Sequence, residues 1–107
     1  MTANLKNIDA PTAAKMQENG ALLVDVREDG EYEMAHIPGS ELVPLSRFEE
    51  SALTLAPGQA VVFFCASGNR TNVHAGRLAA KAGDADAYVM QGGIKAWAQA
   101  GLPVETD

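Results

Sequence analysis

One stretch of this chain combines a nucleophile, a flexible turn and a cation: FFCASGNRT at residues 63–71, which carries Cys65, the only cysteine. Four residues, Ala66, Ser67, Gly68 and Asn69, separate that thiol from Arg70. The apolar run before Cys65 reads as a strand and the segment after Asn69 as a helix, so these four residues must reverse the chain tightly. Small side chains and one glycine allow this, because glycine takes positive φ freely. Such a turn points successive backbone N–H groups inward beside a helix N-terminus, where partial positive charge collects. A thiolate placed there is stabilised, so Cys65 is expected to ionise below the ordinary value of about 8.5 and to act as a nucleophile. Arg70 would add a full charge and a planar donor fork. The competing reading is that Cys65 is a small buried hydrophobe, as free cysteines usually are. Its place at a strand end, before small residues and an arginine, favours the reactive reading.

The rest of the composition bounds the chemistry. A length of 107 residues suits one domain with its own core, and 47% hydrophobic with 21% charged residues is ordinary for a globular chain. No apolar run approaches the roughly 18 residues that cross a bilayer, and the first residues lack the continuous apolar segment of a signal peptide. The cytoplasm is the expected location. One cysteine excludes an internal disulfide and a thiolate-rich zinc site, and His36 and His74 show no metal spacing with it, so neither metal nor cofactor is expected. A net charge of −6 argues against nucleic acid and anionic membranes as partners. Any anion must be bound locally.

The elements that would position the thiol alternate strand and helix. NIDAPTAAKMQENG predicts a helix of about ten residues, capped by Asp9, with Pro11 in its first turn and Gly20 past its end. ALLVDV reads as a buried strand, ELVPL as a weaker one, and AVVFFC as the strongest. SRFEESALTLAPG predicts a helix from a Ser46 cap to Pro57. NRTNVHAGRLAAKAG reads as one helix, with Ala75, Leu78, Ala79 and Ala82 on its apolar face, Arg70, His74, Arg77 and Lys81 opposite, and Gly83 as the stop. AYVM gives a further strand, and GGIKAWAQAGLPV a closing helix with Ile94, Trp97 and Ala98 on one face. This alternation predicts a mostly parallel sheet covered by helices on both faces, with ligands beyond the carboxyl ends of the strands. Cys65 lies at one such end.

Three blocks together resemble the rhodanese-like sulfurtransferases: the loop C65-A-S-G-N-R70, LLVDVRE at 22–28 with EYEMAHIPGS at 31–40, and GGIKAWAQAGLPV at 92–104. The resemblance runs from about residue 5 to residue 104. It implies a three-layer α/β domain with a central, mostly parallel five-stranded sheet. It also implies a ping-pong reaction in which Cys65 takes a sulfane sulfur from a donor such as thiosulfate, holds it as a persulfide, and passes it to a thiophilic acceptor. Ala66, Ser67, Gly68, Asn69 and Arg70 would then form the cradle for the transferred sulfur or the anionic donor. The partners implied are a small anionic sulfur donor and a thiol acceptor, with a protein acceptor as a further candidate, and the chain is expected to work as a monomer.

Dual-specificity phosphatases and some arsenate reductases share this fold with a loop one residue longer, which leaves room for a tetrahedral oxyanion. The shorter loop here suits a single sulfur atom. Expelling an alkoxide usually requires a positioned general acid, and neither the loop nor the next helical turn contains one. A non-catalytic binding module is the third reading, and such members commonly lack the cysteine. Thiosulfate-using members often carry a second basic residue in the loop, where this chain has Ala66 and Ser67, so attraction for a dianion is expected to be modest. Asp25 and Arg27 read as a structural ion pair, His36 as a loop anchor, His74 as solvent-exposed and Trp97 as core. Met90 and Gln91 are expected near the rim of the loop.

Overall fold

The computed structural model describes residues 5–106. Five strands, β1 (Lys6–Ile8), β2 (Leu22–Asp25), β3 (Glu41–Leu42), β4 (Val61–Phe64) and β5 (Ala87–Met90), form one sheet in the order β1-β5-β4-β2-β3. Every pairing is parallel. The helices are α1 (Ala10–Glu18), α2 (Asp29–Met34), α3 (Asn69–Val73), α4 (Ala75–Ala82) and α5 (Gly93–Gln99). This is the expected α/β architecture.

β4 lies at the centre and all four of its residues are buried. A central parallel strand is covered on both faces, so it reads as an unbroken apolar run rather than an alternating one. Val61, Phe63 and Cys65 face one core with Val24, Val26, Phe48 and Leu78. Val62 and Phe64 face the other with Ala10, Ala13, Ile94 and Trp97. The thiol therefore emerges on the α4 side, at the carboxyl end of the strand.

α1 forms as its sequence predicts. The Asp9 side chain accepts from the Thr12 amide at 2.9 Å, and Pro11 occupies the first turn, where its missing N–H costs nothing. α5 also forms, with Ile94 and Trp97 buried, but Ala98 is exposed rather than part of the packed face.

Three further expectations are corrected. Residues 46–57 do not form a helix: Leu45–Arg47 make one 3-10 turn, the Ser51 hydroxyl donates to the Arg47 carbonyl at 2.7 Å, and residues 52–56 have no regular secondary structure. Leu53 and Leu55 pack partly against the core while Ala52, Thr54 and Ala56 are exposed, a period of two that a helix cannot satisfy. The predicted single helix after the loop breaks at His74 (φ −104, ψ 21), where Thr71, Asn72, Val73 and Gly76 are all weak helix formers. His74 is half-buried, not solvent-exposed, and its Nδ1 lies 3.2 Å from the Arg77 guanidinium.

Two short elements were not anticipated from the residue pattern. β1 is an edge strand of three residues with little apolar character, fixed by its pairing to β5. α2 buries no residue. Its N-terminal end is held by polar contacts: Glu28 accepts from the backbone and hydroxyl of Ser46, and Asp29 makes a two-point pair with Arg47 at 2.9 and 3.1 Å.

Candidate active site

Strand β4 delivers Cys65 to the floor of a short loop, where the residue is 1% exposed. Gly68 makes the loop possible. At φ +97 it occupies the left-handed region, and its amide turns back to donate to Cys65 Sγ at 3.1 Å. Burial raises the pKa of the thiol, but the hydrogen bonds from Thr71, Gly68 and Ser67 outweigh it and leave the group below its ordinary value. These hydrogen bonds favour the ionised form.

Thr71 is fully buried, and its hydroxyl sits 3.8 Å from Sγ while donating to the Gly68 carbonyl at 3.0 Å. It therefore ties the glycine turn and touches the sulfur at once. Sequence reasoning passed over this residue, although a Thr directly after Arg70, six positions from the thiol, was visible.

The backing of the loop comes from the far end of the chain. Ile94 and Lys95, in the first turn of α5, donate their amides to the carbonyls of Cys65 and Ala66 at 2.9 and 3.1 Å. Helix first-turn amides lack intrahelical partners, so the two elements satisfy one another. Gly93 permits this approach: a Cβ there would stand 2.3 Å from the Cys65 carbonyl oxygen, and its φ is +58. Gln91 is brought to the loop rim as expected, and with Ser67, Gly68 and Thr71 it lines a pocket of about 400 Å³.

Arg70 departs from its expected setting. Its guanidinium makes a two-point pair with Glu31 on α2 at 2.7 and 2.8 Å, and Glu31 also accepts the Glu28 amide at 3.0 Å. Hydrogen bonding to Arg70, opposed in part by burial, brings the Glu31 carboxyl down to about 2. The positive charge beside the loop is thus already countered. Ala66 is half-buried and Asn69 is exposed at the start of α3.

Asp25 and Arg27 form the buried ion pair expected of them, with contacts of 2.7–3.1 Å, and Arg27 donates onward to the Ala35 carbonyl at 2.7 Å. His36 is an anchor: its ring nitrogens lie 3.1 Å from the Tyr32 carbonyl and the Glu105 carboxylate. Among the described residues no group of three or more His, Cys, Asp or Glu comes together as a metal site, and no helix is long and apolar enough to cross a membrane.

Several known proteins are similar to this chain. An uncharacterized protein of Synechocystis is 40% identical over 81% of this chain and 48% of its own length. The thiosulfate sulfurtransferase GlpE of Pseudomonas fluorescens is 32% identical over 97% of this chain and 94% of its own length. The chain spans less than two thirds of the length of the first curated relatives it matches. Among solved structures, a rhodanese-related protein of Thermoplasma volcanium superposes with a TM-score of 0.80 at 25% identity, covering 95% of this chain and 99% of its own. A protein of Rhodopseudomonas palustris described as a possible tyrosine phosphatase superposes with a TM-score of 0.77 at 26% identity, covering 94% and 85%. The profile of the rhodanese-like domain family matches residues 9–100, which is most of the chain, so this protein belongs to that family.

Proposed function

We propose that this protein is a sulfurtransferase in which Cys65 carries a sulfane sulfur between a donor and a thiol acceptor. The observation that carries the reading is the Gly68 amide at 3.1 Å from Sγ, at the base of a loop with four residues between Cys65 and Arg70. In the first half-reaction the Cys65 thiolate attacks the outer sulfur of the donor. With thiosulfate, the bond between the two donor sulfurs breaks, sulfite leaves with the electron pair, and Cys65 becomes a persulfide. In the second half-reaction an acceptor thiolate attacks the outer persulfide sulfur and Cys65 leaves as a thiolate. The hydrogen bonds that lower the thiol pKa serve both steps, since a stabilised thiolate is both the attacking group and the better leaving group. Ser67, Gly68 and Thr71 hold the sulfur, Ala66 is anchored to α5, Asn69 opens α3, and Arg70 fixes the loop through Glu31.

A phosphatase is the second reading, favoured by the resemblance to the Rhodopseudomonas palustris protein. The carboxylate tied to the loop is Glu31, and a general acid must hold a proton at working pH. With its pKa down at about 2, Glu31 is ionised at neutral pH and cannot supply one. Incubation with thiosulfate followed by intact mass measurement separates the readings. A gain of one sulfur atom, removed by a reducing thiol and absent in Cys65→Ser, is expected. Turnover of an aryl phosphate with no sulfur adduct from any sulfane donor overturns the proposal.

A further inference from the structure

The pocket beside the cysteine loop, lined by Ser67, Gly68 and Thr71 but not by Cys65 itself, has a chemistry of its own. Its inner wall is Gly68 and Thr71, the two residues whose polar atoms lie nearest Sγ, so whatever occupies it lies against the loop that holds the reacting sulfur. Its rim is formed by three carboxamides from three separate elements: Asn7 of β1, Asn72 of α3 and Gln91 after β5. Asn7 arrives there because β1 pairs with β5, setting Asn7 opposite Val89. Leu5, Ala75 and Val89 supply an apolar floor, and no lining residue is charged.

These features select a ligand class. A carboxamide offers both a donor and an acceptor, the complement of a peptide group, and three of them can satisfy more than one such group. A carboxylate or sulfonate in this pocket would find no cation among the lining residues and gain no ion pair. Arg70 does not compensate, because Glu31 occupies its guanidinium. A volume of about 400 Å³ falls within the roughly 300–1,000 Å³ of small-ligand pockets.

We propose that the pocket bounded by Asn7, Asn72 and Gln91 is the acceptor subsite and that it takes an uncharged thiol carrying peptide-type amides. The inference rests on the sulfur-transfer reading for its chemistry. The acceptor thiolate R–S⁻ attacks the outer sulfur of the Cys65 persulfide, the Cys65–sulfur bond breaks, and Cys65 thiolate and R–S–SH result. One sulfur atom moves, and no outside oxidant or reductant is needed.

The test uses the intact protein, loaded with thiosulfate and then mixed in single turnover with N-acetylcysteine amide, N-acetylcysteine or 2-mercaptoethanol, with rates compared per thiolate. Transfer to N-acetylcysteine amide is expected to be at least tenfold faster than to 2-mercaptoethanol and several-fold faster than to the anionic N-acetylcysteine. Asn72→Leu and Gln91→Leu should each bring the first ratio down by about threefold or more. Equal rates for the three acceptors in the unaltered protein, or a ratio unmoved by both substitutions, overturns the assignment. Binding of N-acetylalanine amide, which has no sulfur, is followed separately by backbone amide NMR shifts. Shifts confined to Asn7, Gly68, Asn72, Gln91 and Gly92 support the subsite even if no persulfide forms, the outcome that defeats only the sulfur-transfer reading. Their absence overturns the subsite even if Cys65 loads normally.

Discussion

The Arg70 guanidinium and the Glu31 carboxylate face one another in a two-point pair, at 2.7 and 2.8 Å, between the helix that follows the cysteine loop and a helix that buries none of its own residues. The loop's cation is therefore a tether before it is an anion receptor. Glu31→Gln keeps an acceptor for Arg70 and removes the opposing charge. The freed charge is worth about 1 kcal/mol toward a nearby dianion, so KM for thiosulfate should fall roughly fivefold in steady-state assays, with a smaller change for an uncharged persulfide donor. Equal changes for both donors would show that the pair acts only on loop shape.

The same pair gives stability a defined dependence on pH. Glu31 is lowered from 4.5 to about 2 in the fold, so its contribution is fully present above 4.5 and is lost as pH falls toward 2. The unaltered protein should exceed Glu31→Gln in melting temperature at pH 7, and the gap should close between pH 4.5 and 2.5. Both side chains are about a third exposed, so added salt should narrow the gap at neutral pH. A gap constant down to pH 2.5 would remove the charge from the explanation.

What the chain disclosed in advance follows a physical division. Cys65, Gly68 and the strand before them were legible because apolar β4 and a small-residue turn are local signals. Glu31 was not, because its partner lies 39 positions away and its own helix has no apolar face to announce it. β1 was missed because a three-residue edge strand is defined by its neighbour rather than by its pattern. The segment with Leu53 and Leu55 misled because it shows a helix-like cap while its apolar residues follow a period of two. Thr71 was in plain view, but its importance depends on a hydroxyl reaching both Gly68 and the sulfur, which only the folded loop brings together.

Thr71→Val tests that hydroxyl. The side chain is nearly isosteric and fully buried, and the substitution removes the hydrogen bond to the Gly68 carbonyl and the polar contact with Sγ. A net loss of about 1–2 kcal/mol is expected from one buried hydrogen bond, read as a lower denaturation midpoint. Thiolate absorbance near 240 nm, followed against pH, should show the Cys65 titration moving upward in Thr71→Val and staying near its starting value in Thr71→Ser. An unmoved titration in Thr71→Val would assign the lowered thiol to the backbone amides alone.

Gly93→Ala should be among the most damaging single substitutions in the chain. A Cβ at this position meets the Cys65 carbonyl oxygen at 2.3 Å and Ala66 backbone atoms at 2.6 Å, and the residue sits at φ +58. Neither neighbour can yield, since both are backbone and both accept hydrogen bonds from α5. Gly58 provides the control: its φ is +77, but a Cβ there meets nothing within 4 Å. Gly58→Ala should therefore cost only the left-handed penalty of about 1–2 kcal/mol, whereas Gly93→Ala adds the steric conflict and should exceed about 3 kcal/mol. Denaturant melts of the two variants measure the difference. If Gly93→Ala folds, α5 must withdraw from the loop, and Cys65 should then load sulfur more slowly than in Gly58→Ala. Equal melts and equal loading would mean that the contact between α5 and the loop does not position the thiol.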